Sequence, residues 1–161
     1  MAAIYPNEGR KFLAYSLTQQ ASGIYVAWGN GSSGWDTTPV APTLADTALV
    51  AEHGRRKAQN VAYAVVNAGG SIILDTGTYS ISATPTNLLY VLGQFQLTDA
   101  VGQVIREVGV FGGTVLNAGV SDSSYVTPAQ RTAGYLMAVN RFTAFTRTST
   151  TRQNFEFVIE L

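Results

Sequence analysis

The sequence predicts a mainly β fold, an antiparallel β-sandwich or meander with a short N-terminal helix and one further short helix. The middle of the chain divides into strand-length apolar segments separated by turn residues, which is typical of antiparallel meanders and not of βαβ units. At 161 residues the chain has the length of one domain, since about 150 residues already bury most of their unfolded surface. We therefore expect a single β-rich domain over 1–161 with an N-terminal helical arm over about 1–22.

The arm contains a predicted helix over 9–20. Its apolar side chains include pairs at i,i+3 and i,i+4 spacing, while Arg10, Lys11 and Gln19 can stay in water; the apolar residues are Phe12, Leu13, Tyr15 and Leu17. A first strand over 23–28 follows, because that segment is rich in β-branched and aromatic residues and is bounded by glycines. Helix and strand together account for the start of the domain.

The sequence predicts a turn, an extended loop and the second helix over residues 29–54. The glycines at 29, 31 and 34 favour a turn. Two prolines between 35 and 43 disfavour helix in the residues before them. Thr43 or Asp46 can cap a helix that continues to about His53, with Gly54 as its stop.

The remaining strands follow from turn spacing and alternation. Between residues 58 and 105 only Asp75 and Asp99 carry charge, so we expect this stretch to be buried on both sides or to face a partner. The predicted strands are 61–66, 71–74, 79–82, 88–97 and 104–111, and a last hairpin joins 134–143 to 153–161. In the closing strand Phe155, Phe157, Ile159 and Leu161 alternate with Glu156, Val158 and Glu160, a period of two that buries one face.

Composition narrows the possible functions. Ten basic and ten acidic residues give a net charge of zero, so no global field attracts nucleic acid or a membrane surface. The absence of cysteine removes disulfides and thiolate catalysis. No signal peptide or membrane-spanning segment is predicted, so synthesis is expected in a cytoplasm. A sparse, balanced charge gives little protection against association, which suggests a subunit of an assembly.

The candidate chemical sites are few, and we expect no catalytic residue, metal or cofactor. Gly29-x-Gly31-x-x-Gly34 has the spacing of a dinucleotide fingerprint, but Trp35-Asp36-Thr37-Thr38-Pro39 does not begin the helix that would bind the pyrophosphate. His53 is the only histidine, and zinc would need further ligands that the spacing does not supply. A serine nucleophile would need the Gly-x-Ser-x-Gly elbow, which Ser32 and Ser33 lack.

Aromatic and charged residues near the N-terminal strand remain as candidate contact residues. Tyr25, Trp28 and Trp35 would form the stacking platform of a carbohydrate-binding module, with Asp36 beside them. Arg55 and Arg56, in the basic triplet 55–57, are expected at a helix end, either in solvent or in an interface. The same aromatic residues can equally be core, so both alternatives stay open.

Three segments resemble small structural proteins of tailed-bacteriophage baseplates and tail-fibre attachment regions. The first, 23–42, is a strand that enters a glycine turn followed by Trp35-Asp36 and prolines. The second is Val104-Ile105-Arg106-Glu107-Val108-Gly109-Val110-Phe111, and the third is 134–142 followed by 148–151 and by Phe155-Glu156-Phe157. Together they cover roughly a third of the chain in the order of that family, and residues 58–86 show no motif of it.

The resemblance implies a structural subunit of a phage tail, not an enzyme. Its expected partners are other tail or baseplate proteins and copies of itself, with no nucleic acid and no membrane. Its expected location is the tail of the virion, where copies around the tail tube join neighbouring components. The alternative is a carbohydrate-binding β-sandwich module of a receptor-binding tail protein.

Overall fold

The computed structural model describes residues 3–161, and within that range the chain has one α-helix and nine strands. Helix α1 spans Asn7–Gln19. The strands are β1 (Tyr25–Gly29), β2 (Glu52–Lys57), β3 (Asn60–Val66), β4 (Ile72–Leu74), β5 (Gly77–Ser82), β6 (Leu88–Phe95), β7 (Val104–Gly112), β8 (Tyr135–Thr146) and β9 (Gln153–Glu160). Short 3-10 turns lie at Ala21–Gly23, Ser33–Asp36 and Pro128–Gln130. No helix among the described residues has the length and apolarity to cross a membrane.

The strands form two antiparallel sheets, which confirms the predicted fold class. One sheet has the order β2-β1-β7-β8 and the other the order β4-β5-β3-β6-β9. The predicted strands are all present, and the largest difference is β8, which continues three residues beyond the predicted end at Thr143. Strand β7 lies between β1 and β8, as expected for the segment around Gly109. A Cβ on Gly109 would lie 3.0 Å from the Ala138 carbonyl oxygen, so this position is crowded.

The predicted second helix is wrong. Residues 43–46 form a turn instead, in which the Asp46 carboxylate accepts the Thr43 N–H at 2.7 Å and the Asp46 N–H donates to the Thr43 carbonyl at 3.1 Å. His53 and the basic triplet lie in β2, which pairs with β1 from Gly29–Glu52 to Tyr25–Lys57. Pairing with a buried neighbouring strand overrides the local capping signal, so Arg55 and Arg56 are strand residues and not a helix end.

The orientation of α1 also differs from the expected one. Ala14 is its fully buried residue, whereas Phe12 and Tyr15 are exposed and Arg10 and Lys11 are half-buried. Arg10 is held because its Nη1 donates to the Leu161 carbonyl at 2.6 Å. The aromatic pair therefore faces outward and the two basic residues flank the packed side.

The chain divides into two compact units. The first comprises the chain up to Ala21 with residues 59–92 and 156–161. Its core cluster is Ala64, Ile72, Tyr79 and Tyr90, with Val158 among the partly buried residues packed against it. The Tyr90 hydroxyl donates to Glu156 at 2.6 Å, and burial, followed by this bond, raises the pKa of Tyr90. Strand β9 is paired with β6 and half-buried, and it contacts this cluster through Glu156 and Val158, which lie on the face opposite the one that the alternation predicts to be buried.

The second unit comprises residues 22–58 and 93–155. Every residue of β1 is buried. The Trp28 ring stacks on Phe95 with centroids 3.6 Å apart, and Phe155 meets both rings edge-on. The Trp28 indole N–H donates to the Tyr125 hydroxyl at 2.8 Å, whose pKa burial raises to about 12. This aromatic cluster is the apolar centre of the unit.

Candidate interaction surfaces

One face of the β2-β1-β7-β8 sheet carries charged side chains in its interior. Residues directly opposite in antiparallel strands share a face, and the register sets Arg55 opposite Ala27 and Arg141 opposite Glu107. Arg55 and Glu107 are fully buried. Charges buried to this degree are found paired in folded proteins, because removing them from water is costly. The hydrogen-bond partners of these charged side chains show which loops are attached to this face of the sheet.

Arg55 is the centre of the largest of these charge clusters. Its Nε and Nη2 donate to the two carboxylate oxygens of Glu52 at 2.9 and 2.7 Å. Its Nη1 donates to the Thr114 hydroxyl and the Ala133 carbonyl, both at 2.7 Å, and its guanidinium lies 3.8 Å from the Phe111 ring centroid. Burial lowers the pKa of Arg55, and Glu52 opposes that effect. The cluster fixes both ends of the loop 113–134 to the sheet.

The loop 30–51 is held in the same way. Both Glu107 oxygens accept backbone N–H groups, from Val50 at 3.1 Å and from Ala51 at 2.9 Å. Arg141 pairs with Asp46 at 3.0 Å and lies over the Trp35 ring at 4.8 Å. The Thr43 N–H, and after it Arg141, hold the pKa of Asp46 below its ordinary value. Strand side chains therefore anchor this loop at two separate points.

Three more ion pairs of the second unit follow the same pattern. Arg56 pairs with the buried Asp99 at 2.5 Å, and the exposed pair Lys57–Asp122 closes at 2.6 Å. Arg106 bonds Asp36 at 2.6 Å, and this bond lowers the pKa of the Asp36 carboxyl. Each of these pairs joins a strand to a loop, whereas the buried Arg147 is held by carbonyl acceptors, those of Thr148 and Gln96.

The sequence-predicted site residues lie mostly inside the second unit. Tyr25, Trp28, Trp35 and Arg55 are buried, while the side chains of Asp36 and Arg56 are 50% and 18% exposed. The three aromatic rings do not form an exposed stacking surface. Their use as a sugar platform gains no support from this arrangement and stays a prediction.

In the Gly29–Gly34 turn, Gly31 packs closely against the adjoining Trp35. Gly31 has a φ of +55°, and a Cβ there would lie 2.4 Å from the Trp35 ring. The segment continues as the 3-10 turn Ser33–Asp36. An α-helix N-terminus, which the dinucleotide fingerprint requires, does not follow this turn.

The first unit exposes apolar side chains in three strands of its sheet, the edge strand β4, its neighbour β5 and the central strand β3. We call Val65, Val66, Ile73 and Ile81 the outer-strand patch; all four are exposed, and Ile73 is 75% exposed. The register sets Ile81 opposite Ala64 and Ile73 opposite Thr78. Since neighbouring positions of a strand point to opposite faces, Val65 and Val66 of β3 extend the patch to both faces. Sequence reasoning expected a buried or partner-facing stretch here, and the structure leaves these four side chains uncovered.

Ion pairs within the fold, buried aromatic residues and an exposed apolar patch are the main features of the described residues. The chain belongs to a family described as baseplate wedge 3 tail fiber network component, whose model matches residues 2–161. It is therefore a structural component of a bacteriophage baseplate and its tail-fibre network, located in the virion tail. The expected relationship to baseplate and tail-fibre proteins is confirmed. No curated protein matches the sequence.

Proposed function

We propose that this chain is a non-catalytic subunit that joins baseplate and tail-fibre components through protein–protein contacts, and that the outer-strand patch is one of its contact surfaces. The observation that supports this is the exposure of Val65, Val66, Ile73 and Ile81 in a stretch with two charges between residues 58 and 105. Val66 and Ile81 share one face of the sheet and Val65 and Ile73 the other, and exposed apolar side chains that lie together in this way suit contact with another protein. Strand β4, at the edge of the sheet, has only three residues, so a partner meets side chains more than a free backbone edge.

The anchored loops support the same role from the other unit. A subunit that transmits force between its neighbours needs contact surfaces that keep a fixed position. The buried Arg55 cluster and the Glu107 bonds fix the loops 113–134 and 30–51. These loops consequently present defined shapes for recognition, with little free charge to steer association.

Complementation of a phage that lacks the gene tests this proposal. Ile73→Glu places a charge in the outer-strand patch, and Val101→Glu places the same charge at an exposed position outside the patch and outside the loops 30–51 and 113–134 as a matched control. Both side chains are exposed, so both variants should fold. We expect Ile73→Glu to lower the amount of the chain in purified particles, measured by mass spectrometry, and Val101→Glu to leave it unchanged. Particles of the gene-deleted phage that keep complete baseplates and fibres would overturn the proposed function.

A further inference from the structure

One face of the β4-β5-β3-β6-β9 sheet combines exposed apolar side chains with exposed acids. The register places Ala64 opposite both Ile81 and Leu88, so these three residues share a face, and Val66 joins them because it lies two residues along β3 from Ala64. Val66 and Ile81 belong to the outer-strand patch and are 70% and 49% exposed. We call the face that carries these residues the Val66 face.

Strand β9 contributes two carboxylates to the Val66 face. Val158 packs against the core cluster of the first unit, the Tyr90 hydroxyl donates to Oε1 of Glu156 at 2.6 Å, and the Asn87 amide donates to Oε1 of Glu160 at 3.4 Å. Both glutamates are exposed, and none of the ion pairs among the described residues includes either of them. Their Oε2 atoms are therefore available to a partner, at positions about 13 Å apart along the strand.

The charge of this sheet has one sign. Residues 60–95 and 153–160, which include all five strands, contain three acids, Asp75, Glu156 and Glu160, and no Lys or Arg. The two bases of the first unit are in α1. That helix contacts the other face of the sheet, where the Thr18 hydroxyl lies 2.9 Å from the Tyr63 hydroxyl. The Val66 face thus presents uncompensated negative charge beside apolar surface.

We propose that the Val66 face binds a different protein of the particle, one whose contact surface has an apolar centre and Lys or Arg side chains that meet Glu156 and Glu160. A carboxylate covered by an apolar or acidic surface loses water without gaining an opposite charge, which is costly, so a basic partner is favoured. The three strand intervals from β5 to β9 span about 14 Å. A standard contact of about 800 Å² on each partner is roughly 30 Å wide, so one partner reaches the apolar residues and both acids.

A second copy of this chain does not have the bases that this contact requires. Of its ten bases, seven are in ion pairs within the fold. Arg10 and Arg147 donate to backbone carbonyls, which leaves Arg152 as the base without a partner among the described residues. One base cannot pair with two acids about 13 Å apart, so the partner is a different protein.

The apolar and charged contacts have different roles in this proposal. Apolar contact supplies most of the affinity, so the complex keeps most of its strength when salt screens the ion pairs. The two acids select the partner and fix its register. The inference rests on the proposed structural role and names the chemistry of the partner for one face of the outer-strand patch. The two can fail separately: a chain that particles need, but whose two acids do not affect incorporation, keeps the structural role and loses this partner.

Competitive incorporation tests the two acids. Cells infected with the gene-deleted phage express the native chain and the double variant Glu156→Gln/Glu160→Gln in equal amounts, and mass spectrometry of purified particles measures their ratio. Glutamine keeps an oxygen that accepts the Tyr90 hydroxyl, and circular dichroism checks that the fold is retained. We expect the double variant to be incorporated at least about threefold less than the native chain. Asp75→Asn removes the third acid of the sheet, in the turn between β4 and β5, and should be incorporated like the native chain.

Cross-linking of native particles with a carbodiimide identifies the partner's chemistry, because this reagent joins a carboxylate to a lysine amine in contact with it. We expect Glu156 or Glu160 to be joined to a lysine of another particle protein. Reduced incorporation without a cross-link agrees with the proposal when the partner presents arginine, which the reagent does not join. Equal incorporation of the double variant and the native chain would overturn the proposal. A cross-link from either acid to Lys11 or Lys57 of a second copy would also overturn it, because the partner would then be this chain itself.

Discussion

Replacing Arg55 with Met removes the central group of the charge cluster that holds the loop 113–134. The methionine keeps an unbranched apolar side chain against Phe111 but supplies no donor. The Thr114 hydroxyl and the Ala133 carbonyl, each 2.7 Å from Nη1, then lose their partner. Each such buried acceptor costs about 1–3 kcal/mol when it is left unsatisfied.

Glu52 reduces the loss of stability, because its carboxylate still has an ion-pair partner in Arg131 at 2.6 Å. Removal of one member of a buried ion pair costs about 3–5 kcal/mol, and we expect Arg55→Met to lower the free energy of unfolding within that range. This is a large part of the 5–15 kcal/mol that typical domains possess. With a urea dependence of about 1–3 kcal/mol per M, the unfolding midpoint should fall by about 2 M.

Lys57→Met is the matched control, since Lys57 lies in the same strand and pairs with the loop residue Asp122. Its side chain and that of Asp122 are 34% and 59% exposed, so water screens the pair and its loss should matter little. Urea unfolding followed by tryptophan fluorescence measures both variants. Equal midpoints for Arg55→Met and Lys57→Met would refute the reasoning that buried charge fixes this loop.

Three other expectations can be measured on the isolated chain. Gly109→Val should lower the free energy of unfolding by about 1–3 kcal/mol through overpacking, whereas Gly34→Val, where a Cβ has 3.7 Å of space, should cost less; equal thermal midpoints would count against a crowded β7. Because the pKa of Asp46 is lowered, its anchoring is present above about pH 4 and is lost as the pH falls through the lowered value. The protection factors of the amides in residues 41–51, which correct for the intrinsic pH dependence of exchange, should therefore fall at acid pH in the native chain and change less in Asp46→Asn. Phe157→Asp should make the isolated chain insoluble while Glu160→Gln does not, and a chain that is fully stable when it ends at Thr151 would contradict the role of β9.

Local pattern was sufficient for most strands of this fold. The turn residues around 67–70 and 75–77 and the alternation in β9 depend only on residues that are neighbours in sequence. Such local signals are sufficient to predict turns and strands. Strand β2 was missed because Glu52–Lys57 is rich in charge, and nothing local indicates that it pairs with β1. Asp46 is a residue type that caps helices, and it therefore predicted a helix. In the structure it lies in a turn that brings its carboxylate to Arg141.

The sequence does not predict which residues pair to anchor the loops, because the partners are distant in sequence. Arg141 and Asp46 are joined across almost a hundred residues, as are Arg106 and Asp36 across seventy. One signal was present, however. Glu107 is the one acidic residue in the segment 104–111, which is apolar apart from Glu107 and Arg106, and an acid in such a position is satisfied inside the fold when the strand is central. The sequence could therefore have indicated a buried carboxylate, but not that it binds the Val50 and Ala51 amides.

The use of charge inside the second unit has a consequence for assembly. Strand arginines pair with loop carboxylates there at Arg56–Asp99, Arg106–Asp36 and Arg141–Asp46, so these charges are compensated at short range. A contact made by shape and apolar surface changes little with salt, whereas long-range attraction is screened over about 10 Å. Recognition through the proposed outer-strand patch would therefore keep its strength at an ionic strength that weakens a charged interface. Incorporation of the chain into particles should accordingly be insensitive to salt, and dissociation by moderate salt alone would show that charged contacts dominate instead.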